Sequence, residues 1–396
     1  MFEHVAPYAG DPIFRLASQF QADPREQKVN LTIGLYFEDD GSVPLLAATQ
    51  KAERLWAEQK QARTYLPMEG LSTYREAVQR LVFGAESEAY QSKRIATIQT
   101  VGGTGALKLG GDLLHEGYPT SQLWISDPAW DNHHDIFGGC GIQTNKYRYF
   151  DAQTQGVDFN SMLEDVAALP PQSIVLLHPC CHNPTGADLT VEQWQQLIAV
   201  LKAQQLIPFL DMAYQGFGQG LEADAYAVRA MAEAGLQFLV ANSFSKNFAY
   251  YSERCGALSV VCESAEAAER VLGQLNAWVR KNYSNPPIHG GSAIALVLNT
   301  PELYQSWVAD VDAMRGRIHR MRQAVYERLQ ALAPHYDASY MLKQQGMFSY
   351  TGLSPEQIQH LREAFGVYML ATGRISVPGL TMANVDYYAQ AVAEVV

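Results

Sequence analysis

The sequence predicts an α/β fold in which a mostly parallel sheet is flanked by helices. Short β-rich runs recur through the middle of the chain, and helical patterns such as VEQWQQLIAVLKAQQ separate some of them. Repeated strand-then-helix units build parallel sheets that are covered on both faces. The runs that we interpret as strands are TIQTVGG, QLWISDP, SIVLLHP, LIPFLDMAY and QFLVANSFS.

The two ends of the chain predict a second, smaller α+β domain. A long charged helical pattern, VADVDAMRGRIHRMRQAVYERLQALA, leads out of the middle region into short strand and helix patterns. We expect VNLTIGLY, near the N-terminus, to join them. The sequence therefore predicts an N-terminal arm (residues 1–14), a small domain (residues 15–45 with 315–396) and a large domain (residues 46–314).

Composition and charge exclude several classes of protein. The 396 residues are 47% hydrophobic and 18% charged, which is typical of a globular chain and not of a disordered one. The formal net charge of −12 repels phosphate backbones and anionic membranes, so we expect no nucleic-acid partner. A few arginines in a cleft can still bind a small anion.

The sequence also predicts a cytoplasmic protein. The N-terminal segment has no uninterrupted apolar region typical of a secretory signal, and every apolar run is shorter than the roughly 18 residues of a membrane span. The five cysteines are odd in number and scattered, which indicates reduced thiols. We expect no metal site.

Residues suited to ligand binding or catalysis follow all five predicted strands. In an open α/β sheet, ligands bind beyond the carboxyl ends of the strands, so these residues are the first candidates for a site. We expect them to meet at one edge of the sheet. In chain order they are Gly103 and Thr104, Trp130 and His133, Asn183, Asp211 and Tyr214, and Lys246.

Lys246 and Asp211 carry the most specific chemistry. An amine at a strand end, between small hydroxyl residues, suits a Schiff base with an aldehyde, although a lone lysine is usually a surface residue. Asp211 closes an apolar strand and suits a buried cationic ring nitrogen, or else caps a helix or forms an ion pair. Tyr214 and Asn183 can hydrogen-bond a phenolate oxygen of such a ring.

A second group of residues suits anions. The turn GGTGALKLGG opens a predicted helix, where free N–H groups bind phosphate, although such a turn can also serve tight packing. Its glycine order does not match a dinucleotide fingerprint. Ser243, Ser245 and Arg254 can reach the same phosphate, and Arg280 and Arg374 can bind carboxylates or form ordinary ion pairs.

Eleven segments, taken in order, resemble those of the class I aspartate/aromatic aminotransferases, which are fold-type I pyridoxal phosphate enzymes. The resemblance covers essentially the whole chain and is greatest to the bacterial aromatic-amino-acid branch. It rests on VNLTIGLY, YLPMEG, TVGGTGALKLG, SDPAWDNH, HPCCHNPTGADLT, FLDMAYQGF, SFSKNF, YSERCGALS, RKNYSNPP, GMFSYTGL and ATGRISV.

The resemblance implies roles for the cofactor-binding residues. Lys246 would hold pyridoxal phosphate covalently and then act as acid and base, while Asp211, supported by His133, would keep the ring nitrogen protonated. The ring would contact Tyr214, Asn183 and Trp130. The phosphate would be bound by Gly103, Thr104, Ser243, Ser245, Arg254 and, from the neighbouring subunit, Tyr65.

The resemblance also implies the substrates and the assembly. Arg374, with Gly34 and Asn183 nearby, would bind the α-carboxylate. Arg280 of the neighbouring subunit would bind the side-chain carboxylate of a dicarboxylic substrate and swing aside for an aromatic one. The implied function is amino transfer between aromatic amino acids and 2-oxoglutarate in a homodimer, with aspartate and glutamate also accepted. The alternative is an aspartate aminotransferase.

Three other hypotheses remain open on the sequence alone. The same cofactor can support decarboxylation or elimination. His178, Cys180, Cys181 and His182 could form a metal or thiol site, although their spacing is poor. A basic stripe on the long helix could bind a partner, but we expect a solvated helix face instead; it comprises Arg315, Arg317, Arg320 and Arg322.

Overall fold

The computed structural model describes residues 1–7 and 10–396. The strands are β1 (Val29–Asn30), β2 (Ile95–Val101), β3 (Leu123–Asp127), β4 (Thr144–Arg148), β5 (Phe150–Asp151), β6 (Gly156–Val157), β7 (Ile174–Leu177), β8 (Ile207–Met212), β9 (Phe238–Ser243), β10 (Cys255–Val261), β11 (Phe348–Tyr350), β12 (Val367–Tyr368) and β13 (Arg374–Ser376). Short 3₁₀ helices lie at Ala223–Ala225 and Val377–Gly379.

The α-helices lie before, between and after these strands in the chain. They are α1 (Pro12–Ala22), α2 (Ala47–Glu58), α3 (Ser72–Phe83), α4 (Glu88–Gln91), α5 (Gly102–Gly117), α6 (Asn132–Gly138), α7 (Phe159–Ala167), α8 (Val191–Ala203), α9 (Tyr226–Glu233), α10 (Ala265–Asn282), α11 (His289–Asn299), α12 (Pro301–Leu332), α13 (Tyr340–Lys343), α14 (Pro355–Phe365) and α15 (Val385–Ala393). Within the described ranges, none of them combines the length and apolar character needed to cross a bilayer.

A seven-stranded sheet forms the centre, in the order β2-β10-β9-β8-β7-β3-β4. The pairs from β9 to β4 are parallel, whereas β10 runs antiparallel to both of its neighbours. The predicted mostly parallel sheet is therefore confirmed. Because β10 reverses direction once between β2 and β9, the carboxyl ends of all five predicted strands lie at one edge.

Alternate side chains of each central strand enter two apolar layers on opposite faces of the sheet. Leu210 and Val240 belong to one core cluster, while Phe209 and Leu239 belong to the other. Helix α5 packs across β9 and β10 on the second face. Burial on both faces explains why these strands are nearly continuous apolar runs.

Short strands near the two chain ends pair with each other. β1 pairs in parallel with β12, through Val29 and Val367, so VNLTIGLY joins the C-terminal segments as expected. β11 pairs antiparallel with β13, which sets Tyr350 opposite Arg374. Helix α12 runs unbroken for 32 residues through the predicted boundary between 314 and 315.

The expectation of a solvated basic face on α12 is wrong for two of its four arginines. Arg320 is exposed, but Arg317 and Arg322 are only 3% and 2% exposed. Arg322 donates to the carbonyl oxygens of Met341, Gly346 and Phe348, and Arg317 donates to that of Leu380. These guanidinium groups satisfy carbonyl groups of the C-terminal segments, so they stabilise the fold instead of facing solvent.

Candidate active site

The turn from β2 into α5 forms an anion-binding cradle. Val101 at the helix N-cap provides no side-chain acceptor, so N–H groups of the first turn stay available for an anion. Gly102 has φ +67°, and a Cβ there would lie 2.5 Å from Arg254 Nη2. Glycine is therefore required at this position both by the backbone conformation and by the close approach of the guanidinium.

Arg254 and two serines complete the cradle. Arg254 Nη1 donates to Ser245 Oγ at 3.3 Å, and the hydroxyls of Ser245 and Ser243 are 3.1 Å apart. A Cβ built on Gly103 would lie 3.1 Å from Ser243 Cβ. Arg254 immediately precedes β10, so the antiparallel strand brings its guanidinium to the start of α5. The predicted phosphate ligands of this chain lie together.

Asp211 is a buried carboxylate with two histidines behind it. Its Oδ2 accepts a 2.8 Å hydrogen bond from His133 Nε2 and lies 3.9 Å from His178 Nε2. Burial favours the neutral acid, but the bond from His133 and the charges of His133, His178 and Lys246 outweigh it and lower the pKa of Asp211. The site therefore holds a fixed negative charge at neutral pH.

Lys246 lies three residues beyond β9, between Tyr214 and Tyr251. Its Nζ is 5.6 Å from the centre of the Tyr214 ring and 5.9 Å from that of Tyr251. Burial and the charges of Arg254 and Arg374 lower the pKa of Lys246 to about 8, although Asp211 acts in the opposite direction. A substantial fraction of this amine is thus neutral and nucleophilic near pH 8.

The lowered pKa predicts the pH dependence of Lys246 reactivity. Because only the neutral amine attacks aldehydes, reductive methylation of Lys246 in the cofactor-free protein should rise about tenfold per pH unit below its pKa of about 8 and level off above it. Peptide mass spectrometry after brief labelling at each pH measures this. An inflection near 10.4, the ordinary lysine value, would contradict the electrostatic description.

Arg374 lies in a buried pocket at the start of β13. Its guanidinium donates to the carbonyl oxygen of Thr32 at 2.7 Å and to Asn183 Oδ1 at 3.4 Å, and it stacks 4.3 Å from the centre of the Phe348 ring. Its Nε is buried without a hydrogen-bond partner. A buried donor without an acceptor indicates space for an acidic ligand at this guanidinium.

Gly34 and Tyr214 contact Phe348 beside this pocket. Trp130 contacts His133, the hydrogen-bond partner of Asp211. A Cβ on Gly34 would come within 2.9 Å of Phe348 Cζ, so glycine lets the chain approach that ring. The Tyr214 ring meets Phe348 edge to face at 5.7 Å, and burial raises the pKa of the Tyr214 hydroxyl. Trp130 packs edge to face on His133 at 5.2 Å.

Two predicted site residues lie exposed on the surface of the chain. Tyr65 is 91% exposed. Arg280, near the end of α10, is also exposed and donates to Ser284 Oγ. The resemblance places both residues in the site of a neighbouring subunit.

The structure separates the four residues of the alternative metal site. His178 points to Asp211, while both ring nitrogens of His182 are bonded, one to Ser126 Oγ at 2.9 Å and the other to Thr185 Oγ1 at 2.8 Å. The two cysteines lie beside Asp224 instead. The four-residue hypothesis is therefore wrong, because the two histidines and the two cysteines face different neighbours.

Sequence reasoning missed four residues that contact the predicted site. His178 was considered only as a metal ligand, although it supports Asp211. Tyr251 flanks Lys246, and its hydroxyl accepts the Tyr36 N–H at 2.8 Å. Phe348 and the Thr32 carbonyl contact Arg374. Tyr251 and Phe348 stand in the motifs YSERCGALS and GMFSYTGL, which carry the family resemblance. No sequence signal indicates that a backbone carbonyl will bind Arg374.

Comparison with known proteins identifies the family. The model of the family "Aminotransferase class I and II" matches residues 26–392. The chain belongs to this family. The assignment confirms the resemblance seen in the sequence motifs and the predicted fold class.

The relatives extend over the whole chain. The Klebsiella pneumoniae tyrosine aminotransferase is 57% identical, and 99% of each chain is covered. The aromatic-amino-acid aminotransferase of Escherichia coli is 56% identical, with complete coverage of both chains. An aspartate aminotransferase from Pseudomonas aeruginosa is 48% identical, covering 100% of this chain and 99% of the relative.

A solved structure matches the fold closely. It is an aromatic-amino-acid aminotransferase from Burkholderia pseudomallei, covalently bound to pyridoxal phosphate. The TM-score is 0.98 at 48% identity, with 100% of this chain and 99% of that chain covered. The aminotransferase family uses pyridoxal phosphate, and this chain is an aminotransferase of that kind.

The residues present fit that cofactor. An amine with a lowered pKa suits its aldehyde, an ionised buried carboxylate suits its pyridine nitrogen, and the cradle at the start of α5 suits its phosphate. The side-chain space of Gly102 and Gly103 is taken by Arg254 and Ser243, so the backbone N–H groups can approach an anion closely. The amine, the carboxylate and the anion cradle thus match the aldehyde, the ring nitrogen and the phosphate of pyridoxal phosphate.

Proposed function

We propose that this aminotransferase moves amino groups between aromatic amino acids, such as tyrosine and phenylalanine, and 2-oxoglutarate by a ping-pong mechanism. We also propose that it accepts aspartate and glutamate. The observation that carries this proposal is the shared sheet edge on which the Lys246 amine, whose pKa is lowered to about 8, the Asp211–His133 pair and the anion cradle converge. Full-length relatives named for aromatic substrates support the substrate class.

Lys246 and Asp211 have complementary roles in the proposed reaction. Pyridoxal phosphate, when bound, supplies an electron sink for the electrons released at the substrate Cα. Lys246 Nζ would take the proton from the substrate Cα and deliver it to the former aldehyde carbon of the cofactor, a 1,3-proton shift suited to an amine whose pKa is lowered to about 8. Asp211, held by His133, keeps a proton on the ring nitrogen through its fixed negative charge.

Arg374 and Asn183 orient the substrate in this proposal. Arg374 binds the α-carboxylate, and its bonds to Thr32 and Asn183 fix the guanidinium before the substrate arrives. Gly34 leaves room beside Phe348. A clamped carboxylate favours breaking the Cα–H bond over loss of CO2, which argues against the decarboxylation alternative.

The remaining predicted residues bind the cofactor. Tyr214 and Asn183 would hold the ring oxygen, and Trp130 would pack against the ring. The phosphate is bound by the N–H groups of Gly103 and Thr104, the hydroxyls of Ser243 and Ser245, and the Arg254 guanidinium, whose mutual contacts support this role. Tyr65 of a neighbouring subunit would add a hydroxyl.

We further propose that the active enzyme is a cytoplasmic homodimer. The exposure of Tyr65 and Arg280, two residues expected in the site, supports a site completed by a second copy. We retain the division into an arm (residues 1–14), a small domain (residues 15–45 with 315–396) and a large domain (residues 46–314). The β1–β12 pair supports this division.

Arg280→Leu is expected to separate the two substrate classes. A buried side-chain carboxylate left without a cation is costly, whereas an aromatic ring is not, so kcat/KM should fall about 100-fold or more for aspartate and within about 3-fold for tyrosine. Steady-state assays with both substrates measure the split. Lys281→Leu, which removes the neighbouring exposed cation on α10, serves as the matched control. Equal losses on both substrates would refute the role of Arg280.

Turnover of the purified enzyme tests the proposed function. With 2-oxoglutarate as acceptor, we expect tyrosine and phenylalanine to be converted to their 2-oxo acids with glutamate as the co-product. Higher kcat/KM for aspartate than for either aromatic amino acid would favour the aspartate aminotransferase alternative. The 48% identical relative from Pseudomonas aeruginosa carries that name. Release of CO2 from glutamate would overturn amino transfer.

A further inference from the structure

Cys180, Cys181 and Asp224 form a buried cluster outside the Lys246 site. Their Sγ atoms and a carboxylate oxygen all lie within 4.8 Å of one another. The three side chains are 4%, 2% and 4% exposed, and both thiols are free. We propose that this cluster is a site for a thiophilic divalent cation, such as Zn²⁺ or Cd²⁺, and that its occupation inhibits the enzyme.

Asp224 retains capacity for a cation after its backbone contacts are counted. Its Oδ2 accepts the N–H groups of Gly216 and Gly218 at 2.8 and 2.9 Å, and its Oδ1 accepts that of Gln219 at 2.8 Å. A carboxylate has about four lone-pair positions, so three hydrogen bonds leave one free. These bonds also fix the carboxylate, which supplies the orientation that metal ligands need.

The backbone around Cys181 holds the two thiols in position. The carboxylate of Asp188 accepts the N–H groups of Cys181 at 2.7 Å and of His182 at 2.8 Å. Cys181 has φ +52°, a left-handed conformation that is uncommon for a residue with a Cβ. This turn directs adjacent thiols toward the same carboxylate, which an ordinary extended segment does not do.

A cavity of about 410 Å³ is lined by residues that neighbour the cluster. Gly218 and Gln219 line it and also donate to Asp224. Gln345 lines it too, and the next residue, Gly346, packs on Cys181: a Cβ there would lie 2.7 Å from Cys181 Sγ. Residues that line the cavity, or follow a lining residue in sequence, therefore contact Asp224 and Cys181 directly.

Binding involves no change of oxidation state. Both thiols release their protons to solvent, two sulfur–metal bonds and one oxygen–metal bond form, and a fourth position remains for water, which is a common arrangement for zinc. Sulfur ligands select a thiophilic cation over Mg²⁺ or Ca²⁺.

Inhibition follows from the position of the cluster and rests on the proposed function. Cys181 Sγ contacts the Tyr214 carbonyl oxygen at 3.8 Å, and Cys181 is two residues from Asn183. Drawing the Cys181 sulfur toward a metal would shift the backbone that carries the side chains of Tyr214 and Asn183. A displacement of about 1 Å at such residues is enough to lower turnover about 100-fold.

Equilibrium dialysis of the holoenzyme against Cd²⁺ alone, together with ultraviolet absorbance of the sulfur–cadmium bond, tests the binding. We expect one equivalent per chain in the wild-type protein and in the control Cys140→Ser, which removes a buried free thiol elsewhere. The double variant Cys180→Ser/Cys181→Ser should bind at least about 10-fold more weakly. Asp224→Asn should weaken binding while keeping the sulfur–cadmium band.

The outcomes separate the cation site from the proposed function. Absence of binding to the wild-type protein, or equal binding by the double cysteine variant, would overturn the site whatever the enzyme's substrates. Loss of turnover in the wild type, reversed by a chelator and absent in the double variant, would support inhibition. Undiminished turnover with Cd²⁺ bound would overturn the inhibitory role.

Discussion

Lys246→Ala is expected to lose nearly all amino-transfer activity while the protein remains folded. The substitution removes the amine that attacks the cofactor aldehyde and the base that moves the Cα proton. General acid–base catalysis alone contributes about 100- to 10,000-fold, so kcat should fall about 10,000-fold or more. The side chain lies beside two tyrosine rings and is not part of the apolar core, so stability should change little.

The measurement combines turnover with an independent readout of folding. Circular dichroism and the melting temperature should match those of the wild type, and Lys51→Ala on the exposed surface of α2 should keep full activity. Reduction with borohydride should attach the cofactor to the wild-type chain and not to the variant. Near-normal turnover by Lys246→Ala would refute its assignment.

Asp211→Asn is the second substitution with a large expected effect. Asparagine keeps the shape of the side chain but removes the negative charge that the bond from His133 holds in place. Loss of one preorganised electrostatic contact typically costs about 100- to 1,000-fold in kcat. We expect a fall of that size, with weaker retention of pyridoxal phosphate during dialysis.

The charge of Asp211 can be separated from its packing by a second variant. Asp211→Glu restores the carboxylate at a slightly different position and should recover part of the turnover that Asp211→Asn loses. Asp165→Asn, which removes a carboxylate paired with Arg148 at the surface, should leave kcat unchanged. Wild-type activity in Asp211→Asn, or lower activity in Asp211→Glu than in Asp211→Asn, would contradict the electrostatic role.

The sheet edge was predictable because parallel strands place their carboxyl ends together. Asp211 and Lys246 follow apolar runs, and that regularity alone predicts that they share one site. The reversed strand β10 was not predictable in the same way. Its residues Cys255–Val261 are all buried, and a buried run carries no information about strand direction.

Burial of charged residues was the main feature that the sequence did not reveal. Arg317 and Arg322 stand among apolar residues at helical spacing, a pattern shared by solvated and buried guanidinium groups. Their partners include carbonyl groups that come from other segments of the chain, such as Gly346 and Leu380, and the carboxylate of Asp39. Likewise, the separation of His182 from Cys181 depends on a left-handed turn at Cys181 that no spacing rule indicates.

The absorbance of the holoenzyme during its two half-reactions tests the central claim most directly. Glutamate alone should remove the cofactor's absorbance band in the visible region, and 4-hydroxyphenylpyruvate should then restore it, because an aromatic 2-oxo acid reverses the amino transfer. Restoration only by oxaloacetate would retain Lys246 and the fold but contradict the aromatic assignment. Absence of any band with added pyridoxal phosphate would contradict the cofactor site itself.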